Sequence, residues 1–210
     1  MTNVDAFLAG ASAVLDALGD PAIPGAWDEP SVLEEQTIGS LVGHLARTGV
    51  WLVGEYLDAE PVDGPLDFES AAHFYDELLG NADEALHAGI RDRGAAMAAL
   101  GLESIVADAR AKFAALAPRI PGVDPSQLIA AFGGLTLRFD DYLATRVVEQ
   151  VAHLDDLARS LGRAPFAVPT PTVDLALSVA TEVARRKHGD AVVVRAMFRR
   201  GFADGAFPVF

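Results

Sequence analysis

The stretch RVVEQVAHLDDL, residues 146–157, sets Glu149 and His153 four residues apart inside an apolar run of helical character. On a helix such a pair lies on one face, one turn apart. A carboxylate and a neutral imidazole so placed can grip one divalent cation, provided that a third ligand arrives from elsewhere in the chain. His44 is the candidate third ligand. The same spacing also fits an ordinary Glu–His pair. Tyr142, Arg146, Glu149, His153 and Asp156 form a narrow polar stripe flanked by Leu143, Val147, Val151, Leu154, Ala158 and Leu161, as on a solvated helix face. His44 lies about sixty degrees from Leu41 around a helix, a position that also suits a hydrogen-bonded residue at the edge of an apolar stripe.

The chain that must position these groups has 210 residues, 51% of them hydrophobic, enough for one substantial core. Sixteen basic against thirty acidic residues give a formal charge of −14, which repels phosphate backbones and anionic lipid, so neither nucleic acid nor membrane is an expected partner. There is no cysteine. Disulfides, thiolate zinc sites and cysteine-held clusters are therefore excluded, and any reactive thiol must come from a ligand. The N-terminus lacks a basic segment, and Asp5 and Asp16 interrupt its apolar residues, which argues against a signal peptide or membrane span and for the cytoplasm.

Apolar periodicity predicts a first helix from Val4 to Leu18, ended by Gly19 and Pro21, then the irregular connector DPAIPGAWDEPS (20–31) anchored by Trp27. A second helix runs from Ile38 to Tyr56 with Thr37 as its cap, and His44 falls inside it. Asp67 or Ser70 opens a third, extending to Ile90 and breaking near Gly94 and Gly101; His73 and His87 on it read as surface residues. Leu102 to Leu116 form another helical stretch that stops at Pro118. PRIPGVDPSQ (118–127) reads as a loop and Gly133-Gly134 as a flexible point, before the helix of the Glu–His pair from Thr136 to Leu161. Gly162 closes it, Thr170 and Pro171 open a further helix that ends at Gly189, and the tail from Asp190 fits a short helix better than a strand. The expected organisation is a helical bundle over 1–165 with a C-terminal appendage, 166–210, packed on it.

With His44 in the second helix and Glu149-Gln-Val-Ala-His153 in a late one, the chain resembles the DinB-like four-helix superfamily. More narrowly, it resembles the N-terminal domain of mycothiol-dependent maleylpyruvate isomerase and its actinobacterial relatives. The matching phrases are AWDEPS, TIGSLVGHLAR, DDYLATRVVEQVAHLDDLARSLG and ARRKHGDAVVVRAMFRR. The resemblance implies an all-α, DinB-like up-down four-helix bundle with an extra C-terminal helical segment. It also implies a divalent metal, often zinc, held at one end by a His of the second helix and a Glu-x-x-x-His pair of a later one: here His44, Glu149 and His153. The isomerase carries a C-terminal α/β domain that contributes to catalysis, and too few residues follow the bundle here to build one, so the resemblance implies architecture more firmly than substrate.

Two histidines and one carboxylate leave a position open on a four-coordinate zinc, as in reactive sites. A low-molecular-weight thiol such as mycothiol bound there would be favoured as its thiolate, the nucleophilic form, for S-transfer, conjugate addition or isomerisation of a small electrophile. Water in the same position would make the protein a hydrolase, although the His-Glu-x-x-His phrase of metalloproteases is missing. A non-catalytic metal-binding or dimerisation bundle is the alternative from another class, and a homodimer is a candidate assembly. Asp156 and Arg146 are placed to support the ligands, and Trp51, Tyr142 and Arg47 to line the mouth.

Overall fold

The computed structural model describes residues 2–60, 62–79, 84–131 and 133–199. Thr2 and Asp5 form a reciprocal capping box at the start of α1 (Asn3–Ala17), so the first helix begins where its free N–H groups find side-chain acceptors. Thr37 caps α2 (Ile38–Ala46) by accepting from the Ser40 N–H at 3.1 Å. The predicted second helix continues, but through a π-type turn at Arg47–Trp51 that leads into α3 (Leu52–Leu57). Ser70 caps the short α4 (Ala71–Phe74), which passes into a second π-type turn, Tyr75–Leu79. Then follow α5 (Glu84–Ala98), α6 (Leu102–Leu116), α7 (Phe139–Ser160), α8 (Thr170–His188) and α9 (Asp190–Phe198).

The result is the all-α, DinB-like bundle that the resemblance implies, with α7 at its centre. Leu143, Val147, Leu154 and Leu157 of α7 are buried with Phe7, Ala11 and Val14 of α1 and Leu41 and Leu45 of α2 in one continuous core. The Asn3 side chain reaches the carbonyl of Asp140 at 3.2 Å, and further along both helices Gln150 reaches the carbonyl of Phe7 at 3.2 Å, so α1 and α7 run in the same direction. The segment α2–α3 runs against them: His44 faces Glu149 whereas Tyr56 meets Tyr142. Lys112 over Trp51 and Arg119 beside Asp58 show that α6 runs with α2–α3. Helix α8 packs on α7, α1 and α4, and α9 packs on α8, burying Val193. Among the described residues no helix is long and apolar enough to cross a membrane.

Three local expectations are corrected. Residues 128–138 are not loop and helix start but an antiparallel hairpin, β1 (Leu128–Ala131) and β2 (Leu135–Arg138), in which Ile129, Ala131 and Leu137 turn into the core. Gly133 and Gly134, both at positive φ, make the turn, so the glycines that suggested flexibility connect two strands instead. Asp67 opens no helix; its carboxylate accepts from the Thr136 N–H at 2.8 Å and holds the approach to α4 against β2. Gly94 does not break the third helix but sits within α5, where a Cβ would stand 3.1 Å from the Ser40 carbonyl, and a Cβ on Gly43 would meet that of Met97 at 2.5 Å. The two glycines therefore allow α2 and α5 to approach backbone to backbone.

Close contact of this kind has no room for a methyl group. Gly43→Ala is expected to destabilise the protein by about 1–3 kcal/mol, the usual cost of overpacking a filled contact, seen as a lower midpoint in urea unfolding. An unchanged midpoint would show that α5 can move away from α2 without loss.

Candidate metal centre

The polar stripe on α7 faces inward. Tyr142 and Arg146 are 0% and 2% exposed and the side chains of Glu149, His153 and Asp156 only 15–19%, so the stripe is not an open, fully solvated face. Its position follows from the packing around it: α1, α2 and α8 cover the apolar flanks of α7, and polar residues between them meet His44 of α2, Tyr56 of α3 and Tyr75 of the turn after α4. There His44 Nε2 lies 3.3 Å from Glu149 Oε2, and His153 Nε2 lies 3.4 Å from the same oxygen. The two imidazole rings meet edge to face with centroids 4.8 Å apart. The other Glu149 oxygen, Oε1, accepts from the Tyr75 hydroxyl at 3.1 Å. His153 is held from behind by Asp156, whose Oδ2 lies 2.9 Å from Nδ1. That contact directs Nε2 toward the centre of the cluster, as in carboxylate–histidine–metal arrangements.

Electrostatics link these groups. Burial pushes the His44 imidazole below its ordinary range, against the opposing pull of Glu149. Burial would raise the Glu149 carboxyl, but hydrogen bonds from His153 and His44 and the charge of Arg146 outweigh it and hold this carboxyl well below the carboxylate range. Burial also disfavours charge on His153, yet its hydrogen bonds with Asp156 and Glu149 push its pKa up to about 9. Burial, followed by the negative charge of Glu149, raises the Tyr75 phenol well above its usual range, so it stays a donor. Near pH 7 these shifts favour a neutral His44, an anionic Glu149 and a cationic His153 in the metal-free protein.

One ligand atom from each of His44, Glu149 and His153 falls within a group whose members all lie within 4.8 Å of one another. Ligands about 2.0–2.1 Å from a tetrahedral ion stand about 3.3–3.4 Å apart, and the two His–Glu separations of 3.3 and 3.4 Å agree with that. The donor set is two imidazole nitrogens and one carboxylate oxygen, which suits borderline divalent cations and not hard ions such as calcium or magnesium. The residues present fit a metal.

Of the supporting residues named from spacing, Asp156 touches His153 directly. Arg146 acts on Glu149 through its charge; its Nε donates to Thr145 Oγ1 at 3.1 Å and its guanidinium carbon lies 4.9 Å from the centroid of the Tyr142 ring. The expected mouth residues are placed differently. Trp51, at 4% exposure, is a core residue under Lys112, and Tyr142 is buried edge-on to Tyr56. Arg47 is half-buried and pairs with Glu55 at 3.8 Å. His73 stands at the surface as a half-buried side chain that accepts from the Glu69 N–H and packs on Phe68. The side chain of His87 lies outside the described residues.

Tyr75 is the residue that spacing missed. Within its own helix it reads as one more apolar position, and the only available signal is that a buried tyrosine hydroxyl needs an acceptor. That requirement does not say which acceptor.

A family model described as mycothiol maleylpyruvate isomerase N-terminal domain matches residues 7–158, a span that contains all three clustered residues. No curated protein and no solved structure matches the chain.

The state of His153 sets a pH dependence. Its pKa rises from an ordinary 6.5 to about 9 on folding, so in metal-free protein its contribution to stability is complete below pH 6.5 and lost as pH rises through about 9. His153→Gln should remove that slope, so that the difference in urea stability between wild type and variant shrinks steadily from pH 6.5 to pH 9. A difference that stays constant across this window would show that His153 is not held as the cation.

Proposed function

We propose, since the chain belongs to the mycothiol maleylpyruvate isomerase N-terminal domain family, that it is a divalent-metal-dependent enzyme acting with a low-molecular-weight thiol of the mycothiol kind. The thiol is the nucleophile and a small electrophile is its target, in S-transfer or isomerisation. The observation that carries this reading is the convergence of His44, Glu149 and His153 around one point inside the bundle. Zinc is the metal that the donor set suits best. When bound, it supplies a Lewis acid with room for a further ligand and favours the thiolate of a thiol in that place.

The chain's own residues do the rest. His44 and His153 offer Nε2 and Glu149 offers Oε2, while Asp156 keeps the His153 ring turned toward the cluster. Metal binding requires His153 to give up the proton that it carries in the metal-free protein. The carboxylate of Asp156 stays beside Nδ1 and raises the basicity of the ring. The side chains of His44, Glu149 and His153 are 15–19% exposed, so the cluster is shielded from bulk water on most sides while each of its members keeps some contact with solvent. Because the chain has no cysteine, a sulfur nucleophile must be brought by the small molecule. The proposed setting is the cytoplasm, where such thiols are kept reduced.

Elemental analysis of protein purified without added metal or a histidine tag is expected to find about one divalent metal per chain, and Glu149→Ala and His153→Ala should lose it while keeping most of their helicity. Cobalt-substituted wild type should then change its near-ultraviolet and visible spectrum when a small thiol is added. A wild type that stays metal-free after dialysis against zinc would reject the metal reading. A loaded protein whose spectrum ignores thiols but responds to hydroxide would point to hydrolysis instead.

A further inference from the structure

A carboxylate has two oxygens, and a metal-binding glutamate can give a cation one of them or both. Which it does decides how many positions are left for exchangeable ligands. In this structure the two oxygens of Glu149 have different surroundings. Oε2 faces both imidazoles, at 3.3 and 3.4 Å, whereas Oε1 is turned away from them and accepts from the Tyr75 hydroxyl at 3.1 Å.

Tyr75 is well placed to impose that difference. It is 2% exposed, and its ring stands edge-on to Phe74 with centroids 5.1 Å apart. Its single hydroxyl proton is shared between Oε1 and the carbonyl of Thr145, which lies 2.9 Å away and one turn before Glu149 on α7. The tyrosine is thus registered on the backbone of the same turn that carries the carboxylate, and a rotation of the Glu149 side chain would have to break the contact at Oε1. Tyr75 belongs to the π-type turn after α4, an element separate from those that carry the three clustered residues.

Resting on the metal reading above, we propose that Tyr75 is a positioning residue: its hydroxyl reserves Oε1, so that Glu149 presents a single oxygen to a metal held with His44 and His153 and a coordination position stays free for an exchangeable ligand.

The test is Tyr75→Phe, which removes one oxygen and keeps the ring, studied as the cobalt(II) form beside wild type and checked for equal helicity by circular dichroism. In the variant the carboxylate is released to bind through both oxygens. The visible absorption of the cobalt form should weaken, as it does when coordination rises above four, and metal affinity in a chelator competition should fall about 10–100-fold, the usual effect of losing a group that holds a ligand. A role in packing alone would lower the melting temperature and leave the cobalt spectrum in place. Wild type that takes up cobalt, together with a variant of identical spectrum and affinity, would overturn this inference and leave the metal reading standing. Failure of wild type to take up cobalt would overturn both. X-ray absorption on zinc-loaded wild type gives an independent check, since a bidentate carboxylate there would refute the assignment whatever the variant does.

Discussion

Glu149 is an ionised carboxylate carried by the central helix into the interior of the bundle, and the arrangement around it follows from the cost of keeping it there. An isolated buried charge is tolerated only when partners replace the water that it has lost. Four side chains do so: His153 one turn on along α7, His44 from α2, Tyr75 from the π-type turn after α4, and Arg146, whose charge lies one turn back. Three separate stretches of chain must therefore meet at this carboxylate, which couples the site to the packing of the whole bundle. A divalent cation would satisfy the same carboxylate and both imidazoles at once, with the proton of His153 leaving in exchange.

Other polar groups on or near α7 serve the framework. Gln150, fully buried, donates to the carbonyl of Gly49 at 2.7 Å and to that of Phe7 at 3.2 Å, joining α7 to the π-type turn after α2 and to α1. Thr172 of α8 donates to the Ala6 carbonyl at 2.9 Å, and Thr48 to that of His44 at 2.9 Å. Turns of the π type widen a helix locally and occur often beside functional sites. Here one follows directly on the helix of His44 and another carries Tyr75, so both partners of Glu149 from outside α7 sit at or next to such an irregularity. The irregular turns and the buried amide together set how α2 and α4 are presented to α7.

Much of the architecture was legible because it rests on local periodicity. The limits of α1, the Thr37 cap of α2, the break at Gly101 and the helical character of the tail follow from capping residues, glycine and apolar spacing, whereas α8 and α9 start at Thr170 and Asp190 without a side-chain cap, these two residues lying inside their helices and not ahead of them. The hairpin at 128–138 was missed because each strand is four residues long and one turn of Leu-Ile-Ala-Ala reads equally well as helix; what decides for strand is pairing with a partner and the contact of Thr136 with Asp67. Gly94 was misread for a related reason. A glycine in a helical pattern signals a break unless another backbone lies against it, and that backbone, at Ser40, is more than fifty residues away in the sequence.

The sequence by itself determined the chemistry on offer: no thiolate ligands, a Glu–His pair one helical turn apart, and a histidine in the second helix inside a phrase that resembles a known family. Spacing within one helix sets which residues share a face, so Glu149, His153 and Asp156 could be grouped without a fold. It does not say whether that face looks to water or to the core, because this depends on which helices cover the flanks. Only the tertiary structure turned the stripe inward, brought His44 to the same oxygen as His153, placed Trp51 and Tyr142 in the core instead of at a mouth, and set Tyr75 on the second oxygen of Glu149. Those are contacts between elements distant in sequence, fixed by burial and by the need of each buried polar group for a partner.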